Sequence, residues 1–298
     1  MAASASDWKQ LFDAAFLRRL ERLEIAWSGA SGRGSGRAGP PRGLGDSLEF
    51  ADHRAYTPGD EIRFVDWACY ARSRRLWVRR FHRHADAPLA VLVDASASMG
   101  ASAGCFDYAR RLAAALAMVG ARSGRRVLVG TYRDRLDEPV RLEPSGAALA
   151  RMMGSLHAAG PGGRADLWAA ARDLRACCAD GADTIVISDL LDDERQIFRA
   201  LRHFRHKKHE VIIFHVLDPA EISFPFQRTS DFLDFETGDK VQADPRYVRE
   251  EYLREIGAFI GNLRRGCAEG LIGYVTADTS VPFELLLTSY LDKRKRLG

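Results

Sequence analysis

No stretch of this chain approaches the roughly 18 to 20 consecutive apolar residues that a membrane-spanning helix requires, and Met1 to Trp8 lacks the basic segment and apolar core of a secretory signal. A cytoplasmic protein is the expectation. Cysteine is scarce: Cys69, Cys105, Cys177, Cys178 and Cys267 are odd in number and show neither a CxxC pair nor zinc-ligand spacing. That argues against a disulfide scaffold and for small thiols in a reducing compartment. The Gly-x-x-x-x-Gly-Lys phosphate loop and the His-Glu-x-x-His zinc helix are also missing. His203, His206 and His209 stand at a spacing that drifts around a helix, and Lys207 and Lys208 between them repel a metal.

Excess charge of either sign is small, at a formal net +4 over 298 residues. The basic residues are nevertheless clustered. Arg72, Arg74, Arg75, Arg79, Arg80 and Arg83 share one stretch without an acidic residue, a second cluster runs from His203 to His209, and a third from Lys293 to Arg296. Such clusters either meet nucleic acid or an acidic protein partner, or form solvated faces.

What is present is a regular alternation of apolar runs and amphipathic stretches. Strands are expected at Leu89–Val93, Val127–Tyr132, Thr184–Ser188, Val211–Val216 and Leu271–Val275. Helices are expected at Phe106–Ala121, Gly146–His157, Leu167–Ala179, Arg195–His203, Tyr247–Arg265 and Phe283–Arg296. Continuous apolar strands separated by amphipathic helices predict a doubly wound α/β domain with a mostly parallel sheet covered on both faces, spanning residues 87–298. The apolar and polar alternation between Pro219 and Pro245 predicts an inserted β-hairpin. Residues 1–86 form an N-terminal extension: a short amphipathic helix over Asp13–Ile25, a loop from Ser28 to Gly45 built almost wholly of Gly, Ser, Arg, Ala and Pro, and a β-like segment turning at Pro58-Gly59.

The strand Leu89–Val93 runs into Asp94-Ala95-Ser96-Ala97-Ser98, then a helical pattern. A carboxylate and two hydroxyls at alternating positions place hard oxygen ligands at the carboxyl end of a parallel sheet, where α/β folds bind ligands; oxygen-only ligation suits Mg²⁺. A Ser-rich turn capping the next helix reads the same way. A second apolar strand, Thr184 to Ser188, ends at Asp189, which would join Asp94, Ser96 and Ser98 across the sheet edge or cap its own following helix. The pattern resembles the metal-ion-dependent adhesion site of von Willebrand factor A-type domains, which bind a partner's carboxylate through a metal. That family also places a threonine on a Gly-rich loop. Here Gly160-Pro161-Gly162-Gly163-Arg164-Ala165-Asp166 carries Ala165 at that position, so Mg²⁺ is expected to bind weakly or only when a partner completes its shell. Arg164 could place a guanidinium near the metal position or recruit a carboxylate. Asp166 could compensate, or cap the helix it precedes.

A second block, Glu49-Phe50 through Arg54, Tyr56-Thr57-Pro58-Gly59-Asp60, Arg63 and Asp66-Trp67 to Arg72, resembles the bacterial family of unknown function catalogued as number fifty-eight. The likeness extends from the Phe16–Leu20 helix to Tyr290-Leu291. Its charges, among them Glu49, Arg54, Asp60, Arg63 and Asp66, are expected to form an ion-pair lattice with Trp67 packing rather than a binding face.

The resemblance implies a von Willebrand factor A-like fold and a non-catalytic adaptor or co-chaperone working beside a MoxR-type AAA+ ATPase. Asp94, Ser96, Ser98 and Asp189 would hold Mg²⁺, and Arg164, Asp166, Arg79 and Arg80 would meet the partner. Two alternatives stay open: a nucleic-acid-binding module using the arginine clusters, and a metal-dependent hydrolase built on Asp94 and Asp189.

Overall fold

Four of the apolar runs are buried at every position in the computed structural model: β3 (Leu89–Asp94), β4 (Val127–Tyr132), β6 (Asp183–Ser188) and β7 (Val211–Leu217). The structure describes residues 8–20, 48–55, 70, 75–83, 88–102, 104–142, 146–178, 181–205, 209–233 and 240–297. With β5 (Val140–Leu142) and β10 (Gly273–Asp278), these strands form a six-stranded sheet in the order β10-β7-β6-β3-β4-β5, parallel except for β5. Successive strand residues face opposite sides. Val91 and Val93 therefore enter one core cluster while Ala90 and Leu92 enter the other.

The helices lie on both sides, as the doubly wound expectation required. Helix α3 (Cys105–Arg122), α4 (Gly146–Ala158) and α9 (Phe283–Leu297) cover the first face, with α1 (Trp8–Leu11) and α2 (14–20). Phe12, Phe16 and Leu20 are almost wholly buried there, and Phe16 stacks on Phe283 with ring centroids 5.6 Å apart. The N-terminal helix is thus part of the sheet's own core. Helices α5 (Leu167–Cys177), α6 (Glu194–Phe204) and α8 (Pro245–Glu269) cover the second face.

Two hairpins stand outside the main sheet. β1 (Leu48–Ala55) pairs antiparallel with β2 (Trp77–Arg83), the expected extension, and β8 (Ser230–Leu233) pairs with β9 (Lys240–Ala243), the expected insertion. A short helix α7 (Pro219–Ser223) precedes the insertion. The expected last strand, Leu271–Val275, is corrected to Gly273–Asp278: Leu271 takes φ 52°, is 77% exposed, and belongs to the turn leaving α8. Among the described residues no helix is long and apolar enough to cross a membrane.

Strand order fixes where a ligand can sit. The chain leaves β3 for β4 on one side and later returns to β6 on the other, so the loops after β3 and β6 diverge and open a crevice at the carboxyl edge.

Candidate functional site at the carboxyl edge

Asp94 ends β3 and Asp189 follows β6, the two strands that bound this crevice. Asp94 is 1% exposed and Asp189 6%. Asp94 Oδ1 accepts the Ser96 amide at 2.8 Å, while Oδ2 accepts the Ser188 hydroxyl at 2.6 Å and the Tyr132 hydroxyl at 3.2 Å. The Ser96 and Ser98 hydroxyls lie 3.0 Å apart. The Ser98 hydroxyl stands near enough to the Asp189 carboxylate to favour its charged form, and Asp189 Oδ1 accepts the Leu191 amide at 3.3 Å. The four residues read as a ligand set from the sequence therefore come together.

The loop from Gly160 to Asp166 is laid against them by main-chain bonds, Gly162 N–H to Ala95 O and Ala97 N–H to Gly163 O, each 2.9 Å. Gly163 sits at φ +71°, and a Cβ on Gly100 would stand 2.8 Å from Pro161 Cγ, so both glycines are needed for the approach. Ala165 packs half-buried against the second-face core cluster that includes Leu92, Tyr132 and Leu167, and its side chain supplies no oxygen. The Arg164 side chain is 72% exposed and reaches toward Asp192 at 3.7 Å, so it lies on the rim rather than near the metal position. Asp166 takes the capping alternative, accepting the Ala169 amide at 2.7 Å as N-cap of α5.

Arg79 and Arg80 lie on β2, and Glu49 and Arg54 on β1, where the backbone alone is described: Glu49 is registered with His82, Arg54 with Val78. Asp60, Arg63, Asp66 and Trp67 lie outside the described residues.

Electrostatics decide what the crevice can hold. Burial raises Asp94 above the usual carboxylate range despite its bonds from Ser188, Ser96 and Tyr132. Burial and then the Asp94 charge raise Asp189 to about 7. Two carboxylates withdrawn from water side by side stay ionised together only beside a cation; otherwise they hold a proton. The donor set, two carboxylates and two hydroxyls, is all hard oxygen and fits Mg²⁺. It is also sparse. Asp94 already accepts three protein hydrogen bonds of the roughly four its oxygens can take, and among the described residues no group of three or more His, Cys, Asp or Glu side chains gathers as a metal cluster. The residues fit a weakly held ion that needs further oxygens from outside the chain.

Several residues escaped the sequence reading. Ser188 and Tyr132 hold Asp94, and each shows in the sequence only as a polar group ending an apolar run. Asp218 and Asp278 repeat the signal of Asp94 and Asp189, a carboxylate at a strand's carboxyl end, so four adjacent strands each deliver one. Asp218 caps α7 through a reciprocal box with Glu221 and accepts the Ser102 hydroxyl. The string Gly100-Ala101-Ser102-Ala103-Gly104 matches the letters of a nucleophile elbow. Ser102 follows a short 3-10 turn instead of a strand, however, and its hydroxyl donates to a carboxylate instead of meeting a histidine base.

Comparison with known proteins adds a family and distant likenesses. The sequence model described as "Protein of unknown function DUF58" matches residues 52–258. Uncharacterized proteins of Mycobacterium bovis and Mycobacterium tuberculosis are 28% identical over 243 residues, covering 78% of this chain and 76% of theirs. Among solved structures, the conserved hypothetical protein BatB from Bacteroides thetaiotaomicron aligns with a TM-score of 0.46 at 17% identity, over 71% of this chain and 100% of that one. A von Willebrand factor type A protein from Catenulispora acidiphila aligns with a TM-score of 0.37 at 12% identity, over 48% of this chain and 36% of that one.

Proposed function

The chain belongs to the DUF58 family of proteins of unknown function, and we propose that it is a non-catalytic interaction adaptor whose carboxyl edge grips a partner protein through a shared divalent cation. One observation carries the reading: the buried Asp94 and Asp189 carboxylates stand together with the Ser96 and Ser98 hydroxyls at the crevice where the strand order reverses. Asp94, Ser96, Ser98 and Asp189 are the residues that would hold Mg²⁺. The ion would supply positive charge and an open position suited to a partner's Asp or Glu side chain. The chain's own groups do the rest. Ser188 and Tyr132 orient Asp94, the Leu191 amide and Ser98 orient Asp189, and Gly162 and Gly163 hold the neighbouring loop against the site.

Because Ala165 brings no hydroxyl, the partner's carboxylate is needed to complete the shell, so metal and partner bind cooperatively. The family resemblance supports a MoxR-type AAA+ ATPase as one partner and an unidentified client as the other, with the ATPase supplying the energy. Cys105, Cys177, Cys178 and Cys267 as free thiols support a reducing, cytoplasmic setting. The test is binding of the purified chain to the MoxR-type ATPase of the same host, with Mg²⁺ and with EDTA. Binding that needs Mg²⁺ and is lost in the double variant Asp94→Ala, Asp189→Ala is the expected result; undiminished binding by that variant rules the mechanism out.

A further inference from the structure

Strand β7 reads Val-Ile-Ile-Phe-His-Val-Leu and is buried throughout, with His215 wholly inaccessible. An imidazole in that row is costly unless both ring nitrogens find partners. They do. Nε2 stands 2.8 Å from the main-chain carbonyl of Asp189, and Nδ1 stands 2.5 Å from the Tyr274 hydroxyl on β10. A carbonyl only accepts, so Nε2 carries the proton and the bare Nδ1 receives the Tyr274 O–H.

The need for this donor arises on β6. Its ladder with β7 ends at the pair Ser188 and His215, and the chain then turns through Leu190 at φ 54°. The Asp189 carbonyl is thereby removed from the ladder in a buried place, where an unpaired oxygen is expensive. His215 supplies the missing bond. Its ring is itself held edge-on by Tyr274 and Phe259, at centroid distances of 5.7 and 6.2 Å. Burial lowers its pKa to about 4, so the ring stays neutral and keeps this tautomer.

We infer that His215, fixed by Tyr274, is a positioning residue for the carboxyl-edge site: it anchors the Asp189 peptide and so sets where the Asp189 carboxylate stands beside Asp94. Its functional weight rests on the metal-edge reading above, although the anchoring itself needs no metal. A relay of two hydrogen bonds thus runs from the outermost strand β10 across β7 to the end of β6. Swinging the Asp189 peptide out of line would carry the carboxylate away from Ser98 and from the Leu191 amide that orient it.

Three variants of the full chain test this: His215→Phe keeps ring volume and removes the donor, His215→Gln restores a side-chain N–H near Nε2, and Tyr274→Phe releases Nδ1 alone. Amide hydrogen exchange without metal is the first readout. His215→Phe is expected to speed exchange at Leu190 and Leu191 about tenfold, the size of one lost hydrogen bond, while the amides of Val91 to Val93 keep their protection. His215→Gln should recover most of the loss, and Tyr274→Phe should show a smaller acceleration. Mg²⁺ titration is the second readout, with affinity falling about tenfold in His215→Phe, as for other residues that orient a ligand. Unchanged exchange at Leu190 and Leu191, or a Gln variant no better than Phe, overturns the inference. If His215→Phe loses protection throughout, the Gln and Tyr274→Phe variants decide by the same two amides. Absent Mg²⁺ binding in the unaltered chain, with exchange changing as expected, overturns the metal reading and leaves the anchoring of Asp189 in place.

Discussion

Ser188 joins Asp94 to the loop that carries Asp189: its hydroxyl donates to Asp94 Oδ2 at 2.6 Å and accepts the Leu190 amide at 2.8 Å. The last residue of one strand thus sets both the carboxylate of its neighbour and the turn that follows itself. Ser188→Ala strands an amide and removes a donor from a buried carboxylate. A loss of about 1 to 3 kcal/mol in urea unfolding is expected, with Asp94 pushed further up and Mg²⁺ affinity reduced. Unfolding and metal titration of the same variant check both effects.

The carboxylate pair also predicts a pH dependence. Asp189 is held at about 7 in the folded chain against its ordinary 3.8, so between those values the folded state binds the proton that the unfolded state has released. Stability from this site is therefore fully present below about pH 4 and is lost as pH rises toward 7. Without metal, the melting temperature should show this downward contribution through that window. Mg²⁺ should restore stability most at the upper end, where the pair is ionised. Asp189→Asn, measured across the same range, should flatten the dependence and abolish the Mg²⁺ effect.

At the opposite end of the sheet the sign reverses. Arg125 Nη2 meets Asp183 Oδ2 at 2.7 Å, both side chains buried, and the Glu210 amide adds a bond at 2.9 Å. Burial alone would raise Asp183, but the His209 ring, its Nδ1 3.6 Å from Asp183 Oδ1, and the Arg125 charge bring it below its ordinary value. Its contribution is thus present above the unfolded value of 3.8 and is lost as pH falls through the folded one. Arg125→Met leaves this carboxylate buried without its cation and should cost roughly 3 to 5 kcal/mol. Urea denaturation at neutral pH reads the loss, and Mg²⁺ binding at the far edge should be unchanged.

How much of this was readable beforehand follows from what a linear pattern encodes. The strands β3, β4, β6 and β7 are apolar on both faces because helices cover both, and such runs are visible residue by residue. Asp94 and Asp189 were visible for the same reason, as carboxylates ending those runs. The short β5 and the true start of β10 were not, since three residues carry no period and Leu271 is apolar yet lies exposed in a turn. Ser188, Tyr132 and His215 stand in the sequence as polar breaks in apolar strands. Their partners are on other strands, and only the order β10-β7-β6-β3-β4 reveals that Tyr274, His215, Asp189, Ser188, Asp94 and Tyr132 form one connected row. The role of Arg164 depended on where its side chain turned, which spacing does not encode.

That last point sharpens what Ala165→Thr should do. Had the Arg164 guanidinium filled the metal position, a new hydroxyl beside it would gain nothing. The side chain instead reaches outward to Asp192 and is largely exposed, leaving the carboxylates without it. A threonine at 165 would then add the oxygen that the site lacks, on a loop already bonded to Ala95 and Ala97. Mg²⁺ affinity should rise about tenfold, equivalent to roughly 1.4 kcal/mol, and partner binding should depend less on the partner's own carboxylate. The opposing force is local packing, because Ala165 packs against the second-face core cluster that includes Leu92, Tyr132 and Leu167. A hydroxyl turned into that cluster would lower stability by about 1 to 3 kcal/mol and leave affinity unaltered. Calorimetric titration with Mg²⁺ and thermal unfolding of the same preparation separate the two, and a destabilised variant with unchanged affinity would show that the Gly-rich loop faces the core at this residue rather than the ion.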